Sequence, residues 1–300
     1  MLPANLLLRG QRLIEKGAWY FAPFSWLYAL VIFCRNWLYD HRYLPVTKVP
    51  CTVVSVGNVV AGGTGKTPFV HLLAKTFSHR KVAILSRGYG SLPDEAMLLA
   101  KRLTAAKVYV GKDRVASAKQ AVADGAELIL LDDGLQHRRL HRDFDIVLGD
   151  VQGHYLPWGF LRDSPKRLLT ADAHFTSQDL NVKVTRVLDR KNQEIPSIRG
   201  WKVAIFSGIA KPQNFRKTVE ALGAEIVAEV IFADHEQAHL SKLPKAGALL
   251  CTEKDFVKLP PTDLPIYYLE IEVEIAQGRD RWEKVIEKID QKIDNQPTYE

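Results

Sequence analysis

The chain reads as an α/β protein. We expect a P-loop NTPase-like α/β/α sandwich with a second, smaller α/β domain and an N-terminal membrane-associated helix. Three observations predict this. After residue 50, short apolar runs alternate with amphipathic stretches, the pattern of a parallel sheet covered by helices on both faces. The run Gly62-Gly63-Thr64-Gly65-Lys66-Thr67 falls between a strand-like and a helix-like segment. From Ala18 to Cys34 no residue carries charge.

In chain order, residues 51–56 form a strand. Residues 68–77 form a helix that buries Phe69, Val70, Leu72, Leu73 and Phe77. A strand follows at 82–85, then a helix at 94–103 with acidic residues at its start, where the helix dipole favours them. Residues 108–110, 128–131 and 146–148 are strands, and 114–123 is a helix. Residues 180–195 hold two short extended runs around Asp189-Arg190-Lys191-Asn192, a hairpin or linker. A second α/β unit follows, with strands at 203–206, 224–232 and 249–251 and a helix at 212–222. Residues 266–275 are extended and alternating, and 279–293 form a charged amphipathic helix. The expected divisions are an N-terminal amphipathic segment at 1–48, an ATP-binding domain at 49–179, a two-stranded linker at 180–200 and a C-terminal α/β domain at 201–300.

At 300 residues and 47% hydrophobic the chain can bury a sizeable core, which argues against disorder. Its net charge of +7 suits a polyanionic partner: nucleotide, nucleic acid or anionic lipid. Residues 1–48 carry six basic and two acidic groups, so the excess is concentrated there. Cys34, Cys51 and Cys251 lie far apart, without the spacing of a zinc site or disulfide framework, which fits a reducing compartment.

Lys16 and Arg35 bracket the uncharged N-terminal run, and Pro23 interrupts it. Trp19, Trp26, Leu30, Phe33 and Trp37 recur near helical spacing. Tryptophans flanked by cations suit a helix lying in the headgroup region of a bilayer. A helix buried in the protein core and a true membrane span are the alternatives.

The glycine-rich run carries the strongest chemical signal. Glycines let a loop curl its N–H groups toward phosphate oxygens, and the following helix N-terminus adds positive charge. ATP would bind Gly62, Gly63, Thr64, Gly65, Lys66, Thr67 and Pro68. Lys66 would reach the β- and γ-phosphates, and Thr67 would ligate Mg²⁺. Val60 stands where the strict motif has its first glycine, so the loop is a variant. An apolar strand ending in Asp132-Asp133 is the expected Mg²⁺-side partner. Arg87, after another strand, could hold a phosphate, and Asp94 or Glu95 could accept a proton or orient Mg²⁺. In the run His137-Arg138-Arg139-Leu140-His141-Arg142, a phosphate-facing patch and a solvated face are both open; no third ligand points to a metal. Asp234-His235 follows a strand of the second unit.

Together these residues resemble the tetraacyldisaccharide 4′-kinase family of lipid A biosynthesis. The resemblance rests on Ser55-Val56-Gly57-Asn58, Gly62 to Pro68, Ser86-Arg87-Gly88-Tyr89-Gly90, Asp94-Glu95 and Asp132-Asp133-Gly134-Leu135-Gln136-His137-Arg138. Further matches in order are Pro157-Trp158-Gly159-Phe160-Leu161-Arg162, Phe206-Ser207-Gly208-Ile209, Asp234-His235 and Thr252-Glu253-Lys254-Asp255. It implies transfer of the γ-phosphate of Mg²⁺-ATP to the 4′-hydroxyl of an acylated glucosamine disaccharide 1-phosphate, at the cytoplasmic face of the inner membrane. It also implies two α/β/α domains joined by a two-stranded linker with ATP between them, and Asp94 and His235 as a proton-handling pair beside Lys66. The metal would be held by Thr67, Asp132, Asp133 and Glu95, and the acceptor by Asn58, Arg87, His137 and Arg162. Trp158, Phe160 and Asp163 depart from the family's usual pattern, which leaves the role of Asp163 open.

The expected partners are the acylated disaccharide lipid and an anionic membrane surface, with the protein a monomer and no nucleic acid involved. A membrane-surface partitioning ATPase is the main rival, but such proteins place a lysine just before the paired glycines, where this chain has Ala61. A soluble P-loop kinase leaves the Trp-rich segment without a use. A nucleic-acid-dependent ATPase lacks an aromatic-interleaved recognition motif.

Overall fold

A computed structural model describes residues 19–88, 98–99, 102–103, 106–232 and 239–296. They form two compact units. One is drawn from 19–88, the described part of 99–181 and 273–296, the other chiefly from the described part of 182–272.

The first unit holds a six-stranded sheet. Its strands are β1 (Thr52–Gly57), β2 (Val82–Ser86), β3 (Ala106–Val110), β4 (Leu128–Asp132), β5 (Phe144–Leu148) and β6 (Ala173–Phe175). Their spatial order is β3-β2-β4-β1-β5-β6, and every neighbouring pair is parallel. Strands β1, β2 and β4 are buried throughout, which explains their unbroken apolar runs: both faces of a parallel sheet are covered.

Helix α1 (Ala22–Asp40) precedes the sheet. Helix α2 (Lys66–Thr76) turns Phe69, Val70 and Leu73 into the core. Helix α3 (Arg114–Ala123) starts at Asp113, whose carboxylate accepts the N–H groups of Val115 and Ala116. The short strand β6 was not expected from the sequence; three residues carry too little pattern to be recognised.

The second unit contains the sheet order β7-β11-β10-β8-β9. These strands are β7 (Leu180–Asp189), β8 (Lys202–Ser207), β9 (Glu225–Ile231), β10 (Leu249–Thr252) and β11 (Ile266–Ile275). Helix α4 (Pro212–Ala221) buries Phe215 and Val219 against this sheet. The Asp255 carboxylate ties two strand ends together: it accepts the Gly208 N–H at 3.0 Å and the Thr252 hydroxyl at 2.6 Å, and pairs with Lys258 at 2.8 Å.

Two differences from the sequence reading concern the divisions of the chain. The hairpin or linker expected at 180–195 does turn back after Asp189, where Leu188 and Glu194 bridge antiparallel, but its first arm is part of the ten-residue strand β7, which pairs with β11. The chain therefore changes unit within β7 and again within β11. The second difference is helix α5 (Arg279–Asp294), expected with the C-terminal domain, which packs in the first unit. Val285, Ile289 and Ile293 bury beside Phe69 and Phe175, and Arg80 pairs with Asp290 and Asp294 at 2.7 Å. An apolar stripe at helical spacing records that a helix docks, but not on which sheet. The helix expected at 94–103 falls largely outside the described residues.

Candidate nucleotide and phosphate site

The site lies at the C-terminal ends of β1 and β4, where ligands of open parallel sheets bind. Strand β1 ends at Gly57, and the loop from Asn58 leads into α2. Gly65 caps α2 with φ of 78°, a left-handed conformation that costs a glycine nothing. A close approach is at Gly149, after β5, where an added Cβ would lie 2.9 Å from the Thr64 methyl. Asn58 is fully buried, and its amide donates to the Thr64 hydroxyl at 2.9 Å, tying the start of the loop to its middle.

The expected residues converge. The Thr67 hydroxyl donates to the Asp132 carboxylate at 3.2 Å, and Asp132 is only 3% exposed. Lys66 Nζ stands 3.6 Å from Asp133. Arg162 donates to both Asp133 oxygens, one at 3.1 Å, and also to the Asn58 side-chain oxygen. Asp133 itself adopts φ of 58°, rare for a residue with a Cβ and more common where function fixes the backbone. Burial disfavours the charged Asp133 carboxylate. The Arg162 hydrogen bond and the charges of Lys66, Arg162 and His137 outweigh that, lowering its pKa from 3.8 to about 2. Two cations are therefore held side by side on one ionised carboxylate.

His137 belongs to the same neighbourhood. Burial, then the positive charges of Arg114 and Arg87, lower its pKa from 6.5 to about 4 despite the opposing pull of Asp133. The imidazole is neutral near pH 7. His137 is therefore not part of a solvated face. Arg138 does something else: it donates to the Asn36 carbonyl at 2.9 Å and pairs with Asp40, both on α1. Among the described residues no group of three His, Cys, Asp or Glu side chains gathers as a metal cluster. Asp94, Glu95 and His235 lie outside the described residues.

Sequence reading missed three participants. Gln136 donates to the Asn58 carbonyl at 3.0 Å. Asp163 is fully buried and accepts Asn36 Nδ2 at 2.9 Å and Arg35 at 3.1 Å. Tyr28 donates to the Arg162 carbonyl at 3.1 Å. Nothing local in the sequence names partners more than 75 positions away.

Helix α1 is inverted relative to a helix of a soluble core. Its buried residues are Ser25, Ile32 and Asn36, whereas Trp26 is 69% exposed and Phe24, Leu27, Leu30, Val31 and Phe33 are also exposed. This excludes the core-helix alternative. Among the described residues no helix is long and apolar enough to cross a membrane.

Comparisons with known proteins agree with this geometry. Residues 17–292 match the family model LpxK, tetraacyldisaccharide-1-P 4′-kinase. A tetraacyldisaccharide 4′-kinase of Syntrophus aciditrophicus is 33% identical, aligned over 84% of this chain and 88% of the relative. One from Chlamydia abortus is 32% identical over 89% of each chain. The crystal structure of the "apo" form of Aquifex aeolicus LpxK in complex with ATP superposes with a TM-score of 0.78 at 32% identity, covering 90% of this chain and 98% of that one. With the fold, the loop and the length of the match all in agreement, this chain belongs to the LpxK family of tetraacyldisaccharide-1-P 4′-kinases.

Proposed function

We propose that this chain transfers the γ-phosphate of ATP to the 4′-hydroxyl of a tetraacylated glucosamine disaccharide 1-phosphate, giving lipid IVA, at the cytoplasmic face of the inner membrane. The observation that carries the reading is the pairing of Lys66 and Arg162 on Asp133 beside a phosphate-binding loop. Phosphoryl transfer needs positioning and charge stabilisation more than covalent chemistry. The loop amides and Lys66 bind the nucleotide phosphates. Arg162, with Arg87, neutralises either the transferring group or the acceptor's own phosphate, the neutral His137 can offer it a hydrogen bond, and Asn58 holds Arg162 in place.

The residues present fit Mg²⁺. A hydroxyl and a buried carboxylate, Thr67 and Asp132, stand together at the start of α2, an all-oxygen pair of the kind this ion takes. Thr67 and Asp132 would hold the ion, with Glu95 as a further candidate. Asp133 has both oxygens engaged by cations and serves better as their anchor than as a ligand. When bound, Mg²⁺ would supply positive charge that offsets the charge of the nucleotide's phosphates.

A sugar hydroxyl is a weak nucleophile at neutral pH, and a positioned base speeds its attack by about 10²–10⁴-fold. We assign this to Asp94 and His235 as a pair. The apolar outer face of α1, with the basic residues around it, would seat the monomer on anionic lipid and bring it to its substrate.

The test is to incubate purified protein with Mg²⁺, γ-labelled ATP and a tetraacyldisaccharide 1-phosphate in anionic vesicles. Label should appear on the acceptor's 4′-oxygen. Label released only as inorganic phosphate would favour the partitioning ATPase, and label on a water-soluble acceptor the soluble kinase.

A further inference from the structure

Arg162 and Asp163 are neighbours with opposite duties. Both backbone N–H groups bond the Val59 carbonyl, at 2.8 and 3.2 Å, which clamps this pair of residues to the chain leaving β1. From that clamp Arg162 reaches the phosphate site, contacting Asp133 and Asn58. Asp163 reaches the other way, to α1.

The Asp163 carboxylate is fully buried, and a buried charge is costly unless it is paired and hydrogen-bonded. Its partners fill both oxygens. Oδ1 accepts Asn36 Nδ2 at 2.9 Å and the Ser164 N–H at 2.8 Å; Oδ2 accepts Arg35 at 3.1 Å and Gln136 at 3.4 Å. Gln136 in turn donates to the Asn58 carbonyl, so the network closes on the residue that also binds Arg162. Helix α1 holds the same segment at two further places, through Ser25 on the Tyr155 carbonyl at 2.6 Å and Tyr28 on the Arg162 carbonyl. A helix with apolar residues outside and this polar row inside is built into the support of the phosphate site.

We propose that Asp163 is a positioning residue that sets Arg162 for phosphoryl transfer by anchoring its segment to Arg35 and Asn36 of helix α1. The idea rests on the reading of Arg162 as a phosphate-facing group. Asp163 touches neither substrate, and its effect passes through Arg162. The seating of α1 and the geometry of the phosphate site are then one mechanical unit.

The test measures lipid phosphorylation by the full-length protein with anionic vesicles carrying the acceptor. Arg162→Lys probes the underlying reading. Asp163→Asn keeps the shape of the side chain and removes its charge, and should lower kcat about 10- to 100-fold, the scale expected for a misplaced group, with KM for ATP within about threefold. The double variant should be little worse than Arg162→Lys alone, because the two residues act as one unit. Arg35→Gln changes a partly exposed side chain, so it keeps the test open if Asp163→Asn does not fold. It should also lower kcat, and its loss should likewise not add to that of Arg162→Lys. A purely structural Asp163 would reduce the yield of folded protein at unchanged kcat per folded molecule. The proposal is overturned if Arg162→Lys is impaired while folded Asp163→Asn and Arg35→Gln keep wild-type kcat, or if the losses multiply. Wild-type kcat in Arg162→Lys would remove the reading of Arg162 itself, and the proposal with it.

Discussion

Asp133 keeps its charge against burial because Arg162 and Lys66 stand around it, whereas burial, with the charges of Arg114 and Arg87, keeps His137 neutral. Both shifts have consequences for stability. A folded-state pKa of about 4 against 6.5 means that between those values the unfolded chain binds a proton that the folded one refuses. The contribution of His137 is fully present above pH 6.5 and is lost as pH falls toward 4. That of Asp133 is present above 3.8 and lost as pH falls toward 2. His137→Gln should therefore flatten the decline of the thermal midpoint between pH 7 and 4.5, and equal slopes in variant and wild type would count against a buried neutral imidazole. At this scale the sequence was informative where local context defines chemistry. Lys66, Thr67 and Asp132 are legible because a loop and a strand end announce them. Asp163 is not, because its meaning depends on Arg35 and Asn36, 128 and 127 positions away.

Among the elements, α1 shows how pattern and placement differ. The recurrence of Trp26, Leu30, Phe33 and Trp37 reads as an apolar helix face, and periodicity alone allowed that face to point inward. The structure turns it out and buries Ser25 and Asn36 instead, because those side chains find partners at Tyr155 and Asp163. The double substitution Trp26→Ser, Phe33→Ser should release the protein from anionic vesicles while leaving ATP binding intact, and wild-type binding should weaken with salt. Undiminished vesicle binding by the folded double variant would mean that another surface docks. Helix α5 makes the complementary point: its amphipathic stripe was evident, but its docking on the first sheet depends on Phe69 and Phe175, far away in the chain.

At the scale of the whole molecule, alternation of strand and helix was enough to predict a parallel sheet followed by a second α/β unit. The crossing through β7 and β11 was not, since pairing between distant strands leaves no local mark. The assignment of a proton-handling pair draws one residue from before β3 and one from after β9. If Asp94 and His235 act together, Asp94→Asn and His235→Ala should each lower kcat much more than they raise KM for ATP, and the double variant should match the poorer single one. Additive losses would mean that they act separately.

The proposed role of the loop ending in Lys66 in phosphoryl transfer to a lipid is tested by Lys66→Ala in the labelled-ATP vesicle assay, with folding and vesicle binding followed in parallel. Lys66 is partly exposed and contributes little to the core, so fold and docking should survive. Transfer to the lipid should fall by at least about 100-fold, on the scale of removing a group that stabilises transition-state charge. A folded, vesicle-bound Lys66→Ala protein that phosphorylates the lipid at near wild-type rate would contradict the account.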